Sequence, residues 1–309
     1  MLQWIRNSAI DRQKWDNCIE KCLWGNIYAR SNYLDFLTKN NWEALVWGEY
    51  EIIMPVPVRV KYGITYTYRP NFCQQLGIFS QNGQISSGLT EEFFKLLFTR
   101  FSHIHYPLNF NNQPIPFSGL QFKLRTNFIL DLNRPYNDIQ KSYSGDLRRN
   151  LTKAEKSGIK IVENQETESI IKLFKKAWND LYYISDDDYT QFELLVNWAK
   201  SNGLSKNYGV YKENILLAAC VTFQYKNRIY YPFSAISNEG RQLGATAFMI
   251  DQIIQKNQKE ALLLDFEGSD LENVKYFYQK FSPIIEPYYQ IEKLFKPLKI
   301  INSLLKRRS

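Results

Sequence analysis

Two stretches of the sequence decide the predicted fold. The first reads Ala44-Leu-Val-Trp-Gly-Glu-Tyr-Glu-Ile-Ile-Met-Pro-Val-Pro-Val-Arg-Val-Lys-Tyr-Gly-Ile-Thr-Tyr-Thr-Tyr68. The second reads Gly209-Val-Tyr-Lys-Glu-Asn-Ile-Leu-Leu-Ala-Ala-Cys-Val-Thr-Phe-Gln-Tyr-Lys-Asn-Arg-Ile-Tyr-Tyr231. Each contains a strand, a polar turn, a long apolar strand, a tight turn and a tyrosine-rich strand. The repetition predicts a three-stranded antiparallel meander that occurs twice in the chain.

The segments around both meanders follow one order as well. Amphipathic helices are predicted before the meanders at Asp11–Cys22 and Ser31–Lys39, and at Glu166–Leu181 and Thr190–Asn202. A helix and a strand are predicted after each of them, at Thr90–Phe101 and His103–Tyr106, and at Leu243–Lys259 and Ala261–Phe266. The shared order favours duplication over chance similarity. We therefore predict one topology for residues 40–107 and 205–267.

The composition is that of a folded protein with more than one domain. The chain has 309 residues, of which 44% are hydrophobic and 23% charged, and its 21 Tyr and 20 Phe suit half-buried strands. The net charge of +8 is consistent with a polyanionic partner or simply with solubility. No secretory signal and no stretch long enough to span a bilayer is evident, so we expect a cytoplasmic protein, either a monomer or a dimer.

The four cysteines do not form a metal or disulfide pattern. Cys18 and Cys22 lie one helical turn apart, but no second pair follows at a zinc-ribbon spacing, and Cys73 and Cys220 are isolated. We expect reduced, partly buried thiols, as is usual in the cytoplasm.

A basic helical stretch lies between the two copies, from Ile139 to Gly158. It carries Lys141, Arg148, Arg149, Lys153 and Lys156, and Gly158 is placed to end the helix in the left-handed conformation. The cations form either an anion-binding surface or an ordinary solvated helix face.

The second copy contains a candidate phosphate-binding loop, Arg241-Gln242-Leu-Gly244-Ala-Thr246, between a strand and a long helix. Glycine lets the backbone approach a ligand, and the unpaired amides at a helix start suit a pyrophosphate. Pro232 lies in the preceding strand, where it removes a ladder donor. It indicates either a bulge or split in the strand, or a strand that ends at Tyr231.

Three segments together carry a resemblance to a known superfamily. Arg241-x-x-Gly244-x-Thr246 resembles the cofactor-pyrophosphate loop of Gcn5-related N-acetyltransferases, with Thr246 where a small residue is usual. Asp146–Gly158 is similar to the helix that opens the second domain of Fem-type peptidoglycan-bridge aminoacyltransferases. Leu264–Ser269 and Val274–Phe281 resemble the closing strand and helix of that family.

The resemblance implies an α/β fold of the α+β type, with two tandem acetyltransferase-like domains, mixed and mainly antiparallel sheets, and a cleft between the domains. We expect a degenerate, acceptor-side domain at residues 1–133 and a donor-binding domain at residues 134–309. The resemblance further implies transfer of an acyl or aminoacyl group to an amine, with a cell-envelope precursor as the acceptor. Acyl-coenzyme A and aminoacyl-tRNA both remain open as donors. The alternative is a non-catalytic nucleotide- or RNA-binding module of the same fold.

Acyl transfer to an amine requires a base, a group that stabilises the oxyanion and an acid for the leaving group. Asp265 and Glu267, one residue apart on the same face at the end of an apolar strand, are the candidate bases, although Asp265 is also suited to fixing the loop. Tyr278 lies where the superfamily places a tyrosine acid, although Ser282-Pro283 departs from the family pattern. Its neighbours Phe277 and Phe281 form a buried apolar stripe with Val274, so Tyr278 need not belong to the core.

The predicted donor-binding residues are Arg241, Gln242, Gly244 and Thr246. Acceptor-binding residues are predicted in the first copy, in a loop that the second copy lacks: Arg69, Gln74 and Gln75, with Arg59 on the preceding strand. The other possibility for Arg69 is a turn residue paired with an acid. His103 and His105 alternate on one strand and Asp186–Asp188 form an acidic run, but no third ligand follows at a useful spacing, and we predict no metal.

Overall fold

The computed structural model describes residues 1–178, 184–268 and 271–293. In the first part of the chain the elements are β1 (Leu2–Ile5), α1 (Arg12–Lys21), α2 (Ser31–Thr38), β2 (Trp42–Trp47), β3 (Ile52–Lys61), β4 (Ile64–Thr67), β5 (Phe79–Ser80), α3 (Ser87–Arg100), β6 (Ile104–Pro107), β7 (Gln121–Arg125), β8 (Phe128–Asp131), α4 (Tyr136–Ser142) and α5 (Gly145–Lys156). They continue with β9 (Lys160–Glu163), α6 (Thr167–Trp178), α7 (Asp186–Ser201), β10 (Ser205–Lys212), β11 (Ile215–Tyr225), β12 (Arg228–Ile236), α8 (Asn238–Leu243), α9 (Ala245–Lys256), β13 (Leu263–Asp265), α10 (Glu272–Gln279), β14 (Ile284–Ile285) and β15 (Tyr288–Lys293).

The chain divides into two compact units. The second unit is Thr126–Glu286, and the first contains Met1–Arg125 together with the described part of Pro287–Ser309, residues 287–293. Each unit contains one mixed, mainly antiparallel sheet and its own helices. The fold is therefore of the predicted α/β class with two tandem domains.

The sheet of the first unit has the strand order β1-β2-β3-β4-β6-β15-β7, and β5 pairs with β3 beside this path. Only β4 and β6 are parallel among its pairs in the described chain, and α3 makes the crossover between them. Helices α1 and α2 pack on β2 and β3, where the rings of Trp15 and Trp42 lie 4.8 Å apart. Helix α3 packs on β7, with the ring of Phe94 5.9 Å from that of Phe122.

The sheet of the second unit repeats this plan, with the order β14-β8-β13-β12-β11-β10-β9. Strands β10, β11 and β12 form the second meander, and β12 is parallel to β13 just as β4 is parallel to β6. Helices α8 and α9 make the crossover. The predicted common topology of residues 40–107 and 205–267 is confirmed.

The two units exchange one strand each. Strand β8 follows β7 in the chain but pairs with β13 and β14 in the second sheet. Strand β15 follows β14 but pairs with β6 and β7 in the first sheet. Each of these strands lies between the parallel pair and the terminal strand of its sheet. The predicted boundary between residues 133 and 134 assigned β8 to the first domain and β15 to the second, whereas the pairing places each in the other unit.

Strand β12 contains the irregularity that Pro232 predicts. Its register against β11 shifts between Val221 and Phe223, because Tyr230 and Phe233 face residues only two apart on β11. The extra residue turns the side chains on either side of Pro232 to different faces. Tyr231 packs in the core against α9, and Phe233 packs on Phe174 of α6. The strand continues to Ile236, so the alternative that it ends at Tyr231 is wrong.

The helical segments at the basic stretch and at the glycine loop are divided differently from the prediction. The basic stretch forms two helices, because α4 ends before Tyr143 and Ser144 accepts a bond from the amide of Leu147 at the start of α5. The predicted helix at Leu243–Lys259 is preceded by α8, and Gly244, with φ of 69°, separates α8 from α9. The end of the predicted helix Glu166–Leu181 and Ser269 of the closing strand lie outside the described residues.

Gly240 and Gly88 provide a matched test of packing in the two copies. A Cβ on Gly240 in α8 would lie 2.4 Å from the carbonyl oxygen of Leu217, whereas a Cβ on Gly88 in α3 meets nothing within 4 Å. We expect Gly240→Ala to lower the free energy of unfolding by about 1–3 kcal/mol, because a backbone neighbour must move. Gly88→Ala should leave it unchanged or slightly higher. Urea denaturation measures both, and equal effects would contradict the close approach of α8 to β11.

Candidate functional site

The predicted phosphate-binding loop forms the junction between α8 and α9. Arg241 and Gln242 lie exposed in the last turn of α8, and Thr246 lies in the first turn of α9. Gly244 is required by its left-handed backbone rather than by crowding, because a Cβ there would meet only the carbonyl oxygen of Asn150, at 3.7 Å. Gly244 is the N-cap of the twelve-residue helix α9, so the amides of the first turn and the positive end of the helix dipole lie directly after it.

Helix α5 lies directly beside this junction. The Nζ of Lys153 donates a hydrogen bond of 3.3 Å to the carbonyl oxygen of Gln242, and Asn150 contributes the backbone oxygen nearest to Gly244. Two features that the sequence offered separately, the basic helix and the glycine loop, are thus brought together. The buried side of α5, formed by Leu147, Leu151 and Ala154, explains the contact, because it packs in the core of the second unit.

The cations of α5 have different surroundings. Arg148 donates to the carbonyl oxygens of Lys141 and Tyr143 and so fixes the turn between α4 and α5. Arg149 lies 3.7 Å from Asp146 and is largely exposed. Lys153 contacts the loop directly through its bond to Gln242. The arrangement places at least one ammonium group next to the start of α9.

Asp265 ends β13 and lies in a buried ion-pair cluster. Its Oδ2 accepts from Nη1 of Arg228 at 2.8 Å, and Arg228 donates bidentately to Glu286 at 2.7 and 2.9 Å. The Asp265 side chain is 1% exposed. Burial raises the pKa of Asp265, and the charge of Arg228 acts in the opposite direction. Asp265 therefore joins β13 to β12, which is the loop-fixing role that the sequence left open.

Arg228 and Glu286 were not identified from the sequence. Burial disfavours the charge of Arg228, but the hydrogen bonds to Glu286 and the charge of Asp265 raise its pKa well above the ordinary value. Nothing in the local sequence indicates the cluster, because its members come from the start of β12, the end of β13 and the link between β14 and β15.

Glu267 lies beyond the strand, contrary to the prediction that it shares a strand face with Asp265. Its φ is 57°, and Gly268 follows with φ of 44°. The Glu267 amide donates to Oδ1 of Asp265 at 2.8 Å, so the buried carboxylate holds the turn that presents Glu267. The Glu267 residue is partly exposed. A partly exposed carboxylate on a fixed turn is suited to accept a proton.

Tyr278 lies in the core of the second unit, together with the apolar stripe of its helix. The residue is 9% exposed, and its ring centroid lies 5.0 Å from that of Phe266 and 5.6 Å from that of Phe277. Tyr278 is also near Tyr231 in the bulged part of β12. The pKa of Tyr231 is raised first by burial, and then by its neighbours Cys220 and Tyr278.

A second buried carboxylate in this unit was also missed. Asp251 lies at a buried position of α9, and its Oδ2 accepts a bond of 2.8 Å from the Tyr136 hydroxyl. Burial raises the pKa of Asp251. Since its side chain is enclosed and joins α9 to α4, we assign it to the scaffold.

The predicted acceptor residues of the first unit separate into exposed and buried pairs. The Arg59 guanidinium lies 4.2 Å from the ring centroid of Tyr68, and Arg69 follows on the exposed surface. Gln74 and Gln75 are 4% and 3% exposed. Gln75 donates to Gln74 and accepts from the amide of Phe110, both at 2.9 Å. The structure therefore gives these glutamines a loop-fixing role and leaves the two arginines as surface candidates.

His105 lies next to Arg69 in a polar cluster on the same unit. Nδ1 of His105 is 3.0 Å from Nε2 of Gln290, whose Oε1 accepts from Nε of Arg125 at 3.1 Å. Burial first, and then the charges of Arg69 and Arg125, lower the pKa of His105 to about 4. The imidazole is therefore neutral near pH 7, and the cluster carries excess positive charge despite Glu292.

Metal-binding groups are not apparent in the described part of the chain. No group of three or more His, Cys, Asp or Glu side chains there is placed to hold a metal ion. His105 is occupied by Gln290, and Asp186–Asp188 form the first turn of α7, where Ser185 accepts from the amide of Asp188. No helix among the described residues is long and apolar enough to cross a membrane.

Comparison with known proteins identifies the fold. No protein-family model and no curated protein matches the sequence. Among solved structures, FemX has 12% identity and a TM-score of 0.66 over 97% of this chain and 99% of its own. L-PGS from Bacillus licheniformis has 13% identity and a TM-score of 0.56 over 96% of both chains. The C-terminal domain of a putative lysylphosphatidylglycerol synthetase from Agrobacterium fabrum has 12% identity and a TM-score of 0.55 over 93% of both.

These matches define the class of fold to which the chain conforms. It is the acetyltransferase-like fold in its tandem form, as in proteins of the Fem type. The predicted resemblance to the Fem-type branch of the Gcn5-related N-acetyltransferase superfamily is confirmed at the level of fold.

Substitutions of Asp265 and Glu267 should separate scaffold from site. Asp265→Ala leaves the buried Arg228 with one carboxylate in place of two, so we expect a loss of about 2–4 kcal/mol in the free energy of unfolding. Glu267→Gln retains the backbone bond to Asp265 and should change the free energy of unfolding by less than about 0.5 kcal/mol. Chemical denaturation measures both, and a large loss for Glu267→Gln would assign that side chain to the scaffold too.

The lowered pKa of His105 predicts a loss of stability in acid. An unfolded chain binds a proton at histidine below about pH 6.5, whereas folded His105 does so only near pH 4. As the pH falls between these values, His105 should contribute a loss on the order of 2–3 kcal/mol. His105→Asn retains an acceptor for Gln290 and lacks this titration. Its pH–stability curve should therefore be flatter than that of the wild type, and parallel curves would contradict the prediction.

Proposed function

We propose that the protein is an acyltransferase that moves an acyl or aminoacyl group from a coenzyme A thioester or an aminoacyl-tRNA to an amine. The observation that carries the proposal is the contact between Lys153 and the carbonyl oxygen of Gln242. It brings a basic helix against the junction at Gly244, in a chain whose fold is that of tandem acetyltransferase-like proteins.

The junction offers the groups that bind a phosphate. The first turn of α9 supplies outward amides and the positive end of the helix dipole, and Gly244 leaves the approach open. Arg241 and Lys153 add positive charge on either side of it. Coenzyme A and the acceptor end of tRNA both present phosphates, so this chemistry supports donor binding in the second unit without choosing the donor.

Glu267 is the proposed base of the transfer step. The attacking amine loses a proton to the base as its nitrogen bonds to the carbonyl carbon, and the thiolate or ribose oxygen leaves with a proton from an acid. Asp265 holds the turn of Glu267 and is a positioning residue in this proposal. Tyr278 remains the proposed acid. Its ring lies in the core beside Phe266 and near Tyr231, so the leaving group must reach its hydroxyl there.

The first unit is the proposed acceptor side. Arg69, Arg125 and the neutral His105 provide cationic and hydrogen-bonding groups, and Arg125 lies 3.7 Å from the carboxylate of Glu292. An acceptor that carries a carboxylate or phosphate would suit them. Such groups occur in cell-envelope precursors, which the Fem-type resemblance implies, and a cytoplasmic location of the reaction agrees with that acceptor.

A catalytically silent nucleotide- or RNA-binding module is the second candidate. It is favoured by the ion pair that occupies Asp265 and by the burial of Tyr278, which leave Glu267 as the one predicted catalytic side chain that is partly exposed. Turnover separates the two functions.

Ligand binding by two variants, each of which lacks one positive charge, tests the proposal. Acyl-coenzyme A or charged tRNA should raise the melting temperature of the wild type in proportion to its occupancy. Lys153→Gln should weaken that donor by about three- to tenfold through the lost charge near the phosphates. Lys172→Gln is the matched control, because Lys172 pairs with Glu168 on an exposed face of α6. Equal affinities for the two variants would contradict donor binding at the junction.

Turnover is measured on Glu267→Gln with the donor that binds. Loss of transfer at least about a hundredfold, with unchanged donor affinity, is the result expected of a base. Donor binding by the wild type without transfer to any amine supplied would favour the silent module. Unchanged turnover in Glu267→Gln would remove this residue from the mechanism.

A further inference from the structure

The hairpin between β3 and β4 extends beyond its sheet and exposes apolar side chains. All residues from Arg59 to Thr65 are exposed, including Tyr62 at 91%, Val60 at 67% and Ile64 at 36%. Strand β4 pairs with β6 only at Thr67, so the hairpin tip passes the end of the neighbouring strand. Three apolar or aromatic side chains therefore project into solvent at one end of the first unit.

The duplicated fold does not require this projection. The equivalent hairpin of the second unit joins β11 to β12, and its residues Phe223, Tyr225, Ile229 and Tyr230 are all buried. Its turn at Lys226-Asn227 closes the hairpin without an exposed aliphatic side chain. Because two copies of one topology differ here, the exposed tip is a property of the first copy and not of the scaffold.

Positive charge accompanies the apolar tip. Lys61 lies next to Tyr62, with its Nζ 5.5 Å from the ring centroid, and Arg59 is two residues away. The sequence from 52 to 90 contains no Asp or Glu. Strand β15 ends at Lys293 opposite Ile104, which pairs with Thr67, so it ends on the side of the sheet from which the hairpin projects.

We propose that the tip of the β3–β4 hairpin docks the protein on an anionic phospholipid surface. A tyrosine and two aliphatic side chains beside lysine and arginine suit the boundary between headgroups and acyl chains. A stable protein partner would need about 800 Å² on each side, which three side chains at a hairpin tip do not provide. Single-stranded nucleic acid would use the tyrosine and the cations but not Val60 and Ile64.

Vesicle flotation of the full chain tests this docking, which is independent of the proposed transfer reaction. The wild type should bind vesicles of phosphatidylcholine and phosphatidylglycerol, and bind phosphatidylcholine alone much more weakly. The double substitution Val60→Ser with Tyr62→Ser should weaken binding at least about tenfold, because the inserted apolar surface is lost. Lys61→Gln should weaken it by about fivefold and reduce its salt dependence.

Ile215→Ser is the matched control, since Ile215 is an aliphatic residue 55% exposed in the hairpin of β10 and β11. It should bind like the wild type. A Tyr62→Trp variant gives a direct readout, because brominated lipids should quench its added fluorescence. Absence of wild-type binding to anionic vesicles would overturn the proposal. Binding of the double variant equal to that of the wild type would also overturn it. So would a result in which the double substitution abolishes self-association of the protein but leaves lipid binding unchanged.

Discussion

One parallel pair of strands in each mainly antiparallel sheet determines where the crossover helix and the candidate site lie. Adjacent parallel strands need a long crossover, and here it is a helix: α3 between β4 and β6, and α8 with α9 between β12 and β13. In the second unit the crossover places the start of α9 after β12 and brings Asp265 to the end of β13. The candidate phosphate site and the candidate base therefore both depend on the same strand pair.

The Arg228 cluster keeps that pair in register. Arg228 at the start of β12 bonds to Asp265 at the end of β13 and to Glu286. A buried charge of this kind is costly when a partner is lost, so the cluster constrains which strands can be neighbours. Asp265 in turn fixes the amide of Glu267. The polar residues thus form two groups. Some are buried and hold the scaffold together, and others, such as Glu267 and Arg69, lie at the surface.

Local patterns in the sequence predicted the meanders and the helices before each copy, and offered a bulge at Pro232 as one of two possibilities, because alternation, turn residues and helical spacing act over a few residues. The same patterns could not show that Gln74 and Gln75 bond to each other inside the loop, or that Tyr278 packs on Phe266. They also gave no sign that α5 contacts the loop at Gly244, because the two segments lie about ninety residues apart in the sequence. Sites formed by distant segments depend on tertiary packing, for which periodicity carries no signal.

The exchanged strands affect how the protein is made. The first sheet lacks the strand between β6 and β7 until residues 288–293 have been synthesised, although every other strand of that sheet precedes residue 126. An emerging chain therefore holds an incomplete sheet, with the edges of β6 and β7 unpaired, throughout synthesis of the second unit. Domains usually fold in order from the amino terminus during translation. Here the sheet of the amino-terminal unit is completed only after the second unit has been synthesised.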